Sequence, residues 1–130
     1  MKEAEKILAI DWGTQRIGVA IAILEANTIL PLSALKSIKD LKNLIALEDP
    51  DLLVVGHPIT MAGEESNNYE FNNFVEALKK QITIPIELFD ERLSSKQADI
   101  LLGGIDKSRR DSVAAMVILE SYLKKHGQKY

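Results

Sequence analysis

Asp11 closes an apolar run, ILAI, at residues 7–10 and is followed by Trp12, Gly13 and Thr14. Glu91, beside Asp90, closes a second apolar-rich stretch over 83–89, and Asp111 opens a third, from Val113 to Leu119. Each acid stands at the end of an element. In α/β sheets, ligands sit beyond the carboxyl ends of strands. If the first and fifth strands are parallel and near each other, Asp11 and Glu91 emerge at one edge. A helix beginning at Asp111 would bring a third carboxylate there. Clustered carboxylates repel, by about 1 kcal/mol for a pair at about 4 Å in water and about 4 kcal/mol at an effective dielectric of 20. A divalent cation offsets that repulsion, and hard oxygen ligands suit Mg²⁺ or Mn²⁺. Two such ions about 3.5–4 Å apart can activate a water and stabilise the leaving oxygen of a phosphodiester. The chemistry suggested is metal-assisted hydrolysis of a nucleic-acid backbone.

Each acid has a plainer use. Asp11 could form an Asx-turn to the backbone of Thr14. Asp111 could be a helix N-cap. Asp90, Glu91 and Arg92 could make a solvated turn. Asp90 and Glu91 point to opposite sides of a continuing strand, so at most one of them serves as a ligand. Arg16 could hold a phosphate or pair with an acid. Trp12 could stack on a base or simply pack beside a core strand. His57 could shuttle a proton or have no role. Lys107, Arg109 and Arg110 could follow a nucleic-acid backbone or form a solvated turn. No role attaches to His126.

The elements that must position these groups follow from periodicity. Residues 7–11 form a strand buried on both faces. In 17–23, IGVAIAI, large and small residues alternate: Ile17, Val19, Ile21 and Ile23 on one face, Gly18, Ala20 and Ala22 on the other. This is a second strand, joined to the first by a short hairpin connection. A turn at Glu25–Asn27 leads to a third strand over 28–32. Ser37 starts a helix with Asp40 at capping-box spacing, and Asp49-Pro50 ends it. A fourth strand over 51–55 stops at Gly56-His57-Pro58, followed by a polar loop over 57–67. Phe71, Phe74, Val75 and Leu78 mark a second helix. A fifth strand spans 83–89, with Pro85 placing it at a sheet edge. Ser94 and Gln97 cap a helix through about Leu102, residues 105–110 form a basic loop, and a final helix runs from about Asp111 to Leu123. The order βββαβαβαα predicts an α/β fold with a mixed five-stranded sheet, three antiparallel strands followed by two parallel ones, flanked by helices.

Composition sets outer bounds. The 130 residues fit one domain over 1–130, and 46% hydrophobic residues suffice for a core. Cysteine is absent, which excludes disulfides and thiolate metal sites and suits a reducing, cytoplasmic setting. No apolar run reaches the roughly 20 residues needed to span a bilayer. The charged start, MKEAEKILAI, argues against a signal peptide. A net charge of -3 argues mildly against nucleic acid. Yet between Arg92 and Arg110 five basic residues (Arg92, Lys96, Lys107, Arg109, Arg110) outnumber two acids.

Four stretches together resemble one family: LAIDWGTQRIGVAI (8–21), LLVVGHPITMAGEE (52–65), FDERLSS (89–95) and DSVAAMVILESYL (111–123). They are similar, in register from about residue 6 to 123, to the YqgF/RuvX family, described as Holliday junction resolvases and as nucleases processing the 5′ end of pre-16S ribosomal RNA. The resemblance implies an RNase H-like fold and a metal-dependent nuclease site. Asp11 matches the family's first-strand aspartate, Glu91 the acid of its D-E-R motif, and Asp111 the aspartate before its S-x-A-A helix. Thr14 and Arg16 fall on its G-T-[KR]-R-I-G segment and Arg92 on the D-E-R arginine, which implies phosphate contact or support of the site. The chain departs from the pattern where His57 replaces an apolar residue, Thr60 an asparagine, and Gln15 a common lysine.

The expected activity is Mg²⁺- or Mn²⁺-dependent cleavage of pre-rRNA. The competing readings are a Holliday junction resolvase acting on branched DNA and a binding protein that has lost catalysis. A junction resolvase should be a homodimer, whereas an RNA trimmer can be a monomer. A D-x-G-T segment also marks actin-like and sugar-kinase folds, but those need two such lobes.

Overall fold

The run beginning at Lys6 becomes strand β1 (Lys6–Trp12), paired antiparallel with β2 (Ile17–Ile23) from Lys6↔Ile23 to Trp12↔Ile17. In this computed structural model, residues 5–12, 16–58, 68–91 and 107–126 are described; at 57–58, 68, 90–91 and 107–111 the description is of the backbone alone. A 3₁₀ turn, Leu24–Ala26, closes on Asn27 in the left-handed region (φ 53), which asparagine tolerates. Strand β3 (Thr28–Leu35) then pairs antiparallel with β2, with a register shift between Ile17 and Val19.

Helix α1 (Ile38–Glu48) starts at Ser37, whose Oγ accepts the Asp40 N–H at 3.2 Å. The return bond of the expected capping box is displaced by one residue: Asp40 Oδ2 accepts from the Lys36 N–H at 3.3 Å, not from Ser37. Asp49 ends the helix in the left-handed region (φ 50), its N–H donating to the Ile45 carbonyl at 2.8 Å. Asp51 then ties the chain to β1. Its N–H donates to the Lys6 carbonyl at 2.8 Å, and its Oδ2 accepts the Lys6 N–H at 3.0 Å. This pair starts β4 (Leu52–Pro58) parallel to β1 in the register that ends on Asp11↔Gly56.

Helix α2 (Asn68–Gln81) carries the expected Phe71, Val75 and Leu78 stripe into the core. Strand β5 (Ile86–Glu91) pairs parallel with β4, and helix α3 (Lys107–Lys125) follows. The sheet order is β3-β2-β1-β4-β5: three antiparallel strands and then two parallel ones, with β5 at an edge as Pro85 predicts.

Four boundaries differ from the sequence expectation by three residues or more. Strand β3 continues to Leu35, three residues beyond the expected end. Strand β4 does not stop at Gly56 but runs through Pro58, because β5 goes on pairing with it to Pro58↔Glu91. Strand β5 begins at Ile86, and the carbonyl of the preceding Pro85 accepts the Leu53 N–H at 3.0 Å. Helix α3 starts at Lys107, so the basic segment 107–110 is helical and Asp111 is not an N-cap. Lysine and arginine are good helix formers, so a basic composition does not by itself mark a loop. The helix expected from Ser94 lies outside the described residues.

Two packed layers cover the sheet. On one face Leu8, Ile10, Val19, Ile21, Leu53 and Val55 meet Leu41 of α1 and Phe71, Val75 and Leu78 of α2. On the other, Ile7, Ala9, Ala20, Ala22, Val54 and Phe89 meet Ala115, Ile118, Leu119, Tyr122 and Leu123 of α3. Among the described residues no helix is long and apolar enough to cross a membrane.

Candidate active site

Asp11 sits in the alternate row of β1 that includes Ile7 and Ala9, the row facing α3. It is half-buried and pairs with Gly18 on β2 and Gly56 on β4. Neither of its register partners carries a side chain. A Cβ built on Gly56 would overlap Ile118 Cδ1 and lie 3.1 Å from Ile118 Cγ1 and 3.5 Å from the Ile10 carbonyl oxygen. Helix α3 therefore rests on the Gly56 backbone.

Glu91 is the last residue of β5 and pairs with Pro58, two residues beyond the Gly56↔Phe89 pair. It belongs to the same alternation as Glu87 and Phe89. Both of those meet Tyr122 of α3: Tyr122 donates its hydroxyl to Glu87 Oε2 at 2.6 Å, and its ring meets Phe89 edge-on at 5.8 Å. Ideal strand spacing separates the Asp11 and Glu91 Cα atoms by about 12 Å, two strands across and two residues along.

Helix α3 crosses this face from β3 to β5. Near its start, Ser112, 2% exposed, donates its hydroxyl to the Leu32 carbonyl of β3 at 2.6 Å. In its middle Ile118 covers Gly56, and toward its end Tyr122 holds Glu87. Asp111 immediately precedes Ser112 and lies one turn before the fully buried Ala115. The backbones of β1, β5 and α3 thus carry Asp11, Glu91 and Asp111 to the same end and face of the sheet. The side chains of Glu91 and Asp111 lie outside the described residues, and no group of three acids or histidines able to hold a metal occurs within them.

Arg16, half-buried, directly precedes β2 at the same end of the sheet as Asp11. Lys107, Arg109 and Arg110 occupy the first turn of α3, where the backbone alone is described. Thr14 and Arg92 lie outside the described residues altogether. So does most of the loop after β4, of which His57 is described only as a strand residue. Trp12 is on the opposite face from Asp11. Its ring packs at 5.8 Å from Phe71 and 6.0 Å from Phe74 of α2, the packing role rather than a base-stacking one.

Electrostatically, Tyr122 stands out. Burial, then its hydrogen bond to Glu87 and the charge of that carboxylate, push its pKa up to about 12. His126 stacks on the same ring at 4.2 Å. Sequence reasoning missed Gly18, Gly56, Ser112 and the Tyr122–Glu87 pair. A glycine in the row of a strand-end carboxylate is a usable signal once strand pairing is known; the other two interactions have no local signature.

The chain matches the family model "RuvX: Holliday junction resolvase" over residues 5–125. It is 36% identical over 132 residues to a protein of Chloroflexus aggregans, covering 92% of this chain and 93% of that one. It is 37% identical over 129 residues to a protein of Buchnera aphidicola, covering 89% and 94%. Both relatives are named "Putative pre-16S rRNA nuclease". Among solved structures, the fowlpox virus resolvase bound to Holliday junction DNA matches with TM-score 0.57 and 17% identity over 93% of this chain and 98% of that one. Thermus thermophilus RuvC matches with TM-score 0.57 and 9% identity over 95% and 98%. At these identities the structural matches establish the fold, which is the RNase H-like arrangement.

Proposed function

The chain belongs to the RuvX family, and on that premise we propose that it is a divalent-metal-dependent nuclease whose substrate is the 5′ end of pre-16S ribosomal RNA. One observation carries the reading: Asp11, on the central strand, stands between two glycines at the end of the sheet where β5 and the first turns of α3 also arrive. Three oxygen donors carried on three separate elements fit the hard-ligand preference of Mg²⁺ or Mn²⁺. The span of about 12 Å between the Asp11 and Glu91 Cα atoms suits two carboxylate side chains reaching toward ions between them.

Asp11, Glu91 and Asp111 would hold the metal. When bound, it would activate a water for in-line attack on phosphorus and stabilise the departing 3′-oxygen. Arg16, at the same end, would hold the phosphate together with Thr14 and Arg92. Lys107, Arg109 and Arg110 on the first turn of α3 would add positive charge there and follow the backbone of structured RNA. An rRNA substrate and a chain without cysteine suit a cytoplasmic site of action. The family's description and its resolvase-like fold favour one alternative, cleavage of a four-way DNA junction, which calls for a homodimer cutting two symmetric strands.

A Mn²⁺-dependent cleavage assay on pre-16S 5′-leader RNA, run beside a four-way DNA junction, separates the two. The expected result is RNA cleavage that Asp11→Asn abolishes while RNA binding persists. Undiminished cleavage by that variant would refute the metal site. Junction cleavage by a dimer, without RNA cleavage, would replace the substrate.

A further inference from the structure

Ser112 is a buried polar side chain, 2% exposed. It follows Asp111 directly, and its hydroxyl donates to the Leu32 carbonyl 80 residues away in sequence. Leu32 is an unusual place for such a bond. It pairs with Val19, while the next pair is Ile17↔Leu35, so β3 spends three residues where β2 spends two. This is a β-bulge, a local break in the ladder that frees an edge strand to meet another element and that recurs beside active sites. The anchor also lies close to the candidate centre. Val19, the partner of Leu32, pairs with Ile10, the residue before Asp11. The Ser112 bond therefore falls one row from Asp11 and two strands away, a lateral distance of about 10 Å.

We infer that Ser112 is a positioning residue: by tying the first turns of α3 to the bulge of β3, it sets where Asp111 stands relative to Asp11. The inference rests on the metal-site reading of the preceding subsection. A helix end is otherwise free to fray or rock, and a ligand carried on it moves with it. Tyr122, at the other end of the same helix, supplies a matched comparison. It too is buried and makes one hydrogen bond at 2.6 Å to the sheet, yet it lies about 15 Å farther along the helix axis. Loss of either bond loosens α3, but only the loss at Ser112 should disturb the position of Asp111.

The test measures three things on the full chain: Mn²⁺ affinity by calorimetry, Mn²⁺-dependent RNA cleavage, and the melting temperature without metal. Ser112→Ala and Tyr122→Phe should each lower the melting temperature by about 4 °C. Ser112→Ala should also weaken Mn²⁺ binding about ten-fold and slow cleavage about ten- to hundred-fold. Tyr122→Phe should leave Mn²⁺ affinity within about two-fold of wild type, below the about ten-fold change typical of groups that orient ligands. Ser112→Cys, near-isosteric but a weak donor, should show a smaller loss of the same kind; it serves as the variant that folds if the alanine form does not. Equal effects of the Ser112 and Tyr122 variants on Mn²⁺ affinity would reduce Ser112 to an ordinary packing bond. Wild-type Mn²⁺ affinity in Asp11→Asn would instead remove the metal site itself, whatever Ser112 does.

Discussion

Gly56→Ala probes how closely α3 is seated on the sheet. The new methyl would overlap Ile118 Cδ1 and sit 3.1 Å from Cγ1. Ordinary carbon–carbon separations are about 3.5–4.0 Å, so Ile118 must leave its rotamer or the helix must rise by about 1 Å. Ile118 is 3% exposed, so it has little free space to turn into. Overpacking of this kind destabilises by about 1–3 kcal/mol. Replacing glycine within a strand returns about 0.5–1 kcal/mol of backbone entropy. With so little room for Ile118 the upper part of the resulting range of about 0–2.5 kcal/mol applies, a loss of about 2 kcal/mol, read from urea unfolding by linear extrapolation. Because Asp11 is the register partner of Gly56, a helix lifted by about 1 Å should also slow cleavage about 100-fold. Ile118→Val removes the clashing Cδ1 and alone costs about 0.5–1.5 kcal/mol. In the double variant the two losses should not add, leaving a favourable coupling of about 1 kcal/mol or more. A Gly56→Ala protein as stable as wild type, or strictly additive losses in the double variant, would refute the close seating of α3.

Tyr122→Phe should be less stable than wild type by about 1–2 kcal/mol at pH 7, the value expected for a hydrogen bond to a carboxylate near the edge of the sheet. Because folding raises the Tyr122 pKa to about 12, the bond contributes fully below the unfolded value of 10.0 and is lost as pH rises through 12. The stability difference between wild type and Tyr122→Phe, measured by urea unfolding at pH 9 and pH 12, should therefore shrink toward zero. Ser37→Ala should cost about 1 kcal/mol by removing the hydroxyl that caps α1, measurable as a lower urea midpoint with an unchanged slope. Replacing Lys107, Arg109 and Arg110 by glutamine should weaken RNA binding at low salt. It should also flatten the dependence of log affinity on log salt by about 0.7 for each phosphate no longer neutralised, as read in filter-binding titrations.

Local pattern and long-range pairing divide what could be read in advance. The alternation in IGVAIAI gave β2 its bounds, Ile17–Ile23, because every residue of that strand obeys one period. The end of β4 escaped detection because Gly56-His57-Pro58 has the local chemistry of a turn, and only pairing with β5 carries the strand onward. The start of α3 escaped because the basic run from Lys107 to Arg110 has no apolar periodicity to mark a helix. At the site, Asp11 was legible as a carboxylate ending an apolar run. Its glycine flanks were not, since Gly18 and Gly56 become its neighbours only through the sheet. The Ser112–Leu32 and Tyr122–Glu87 bonds span 80 and 35 residues, and no window along the chain contains either pair.

The same alternation that identified β2 also accounts for the shape of the site. Large residues on one face, Val19 and Ile21 with Leu8 and Ile10, hold α1 and α2 across a thick apolar layer. The other face presents Ala9, Ala20, Ala22 and Gly56, and it receives α3. Small side chains let a helix approach a sheet closely, since the separation of packed elements is set by the residues between them. One such close approach is where Ile118 lies on Gly56, the register partner of Asp11. A thicker layer on this face would lift the first turns of α3 away from the strand ends, and an acid at 111 would stand too far from one at 11 to share ions with it. The stripe of small residues is thus what allows one carboxylate on a strand and another on a helix to serve a common centre. Enlarging that layer away from the acids, as in Ala20→Val, should weaken Mn²⁺ binding in calorimetry even if the fold survives with a loss of about 1–3 kcal/mol. Retained Mn²⁺ affinity in a folded Ala20→Val protein would show that the acids do not depend on this spacing.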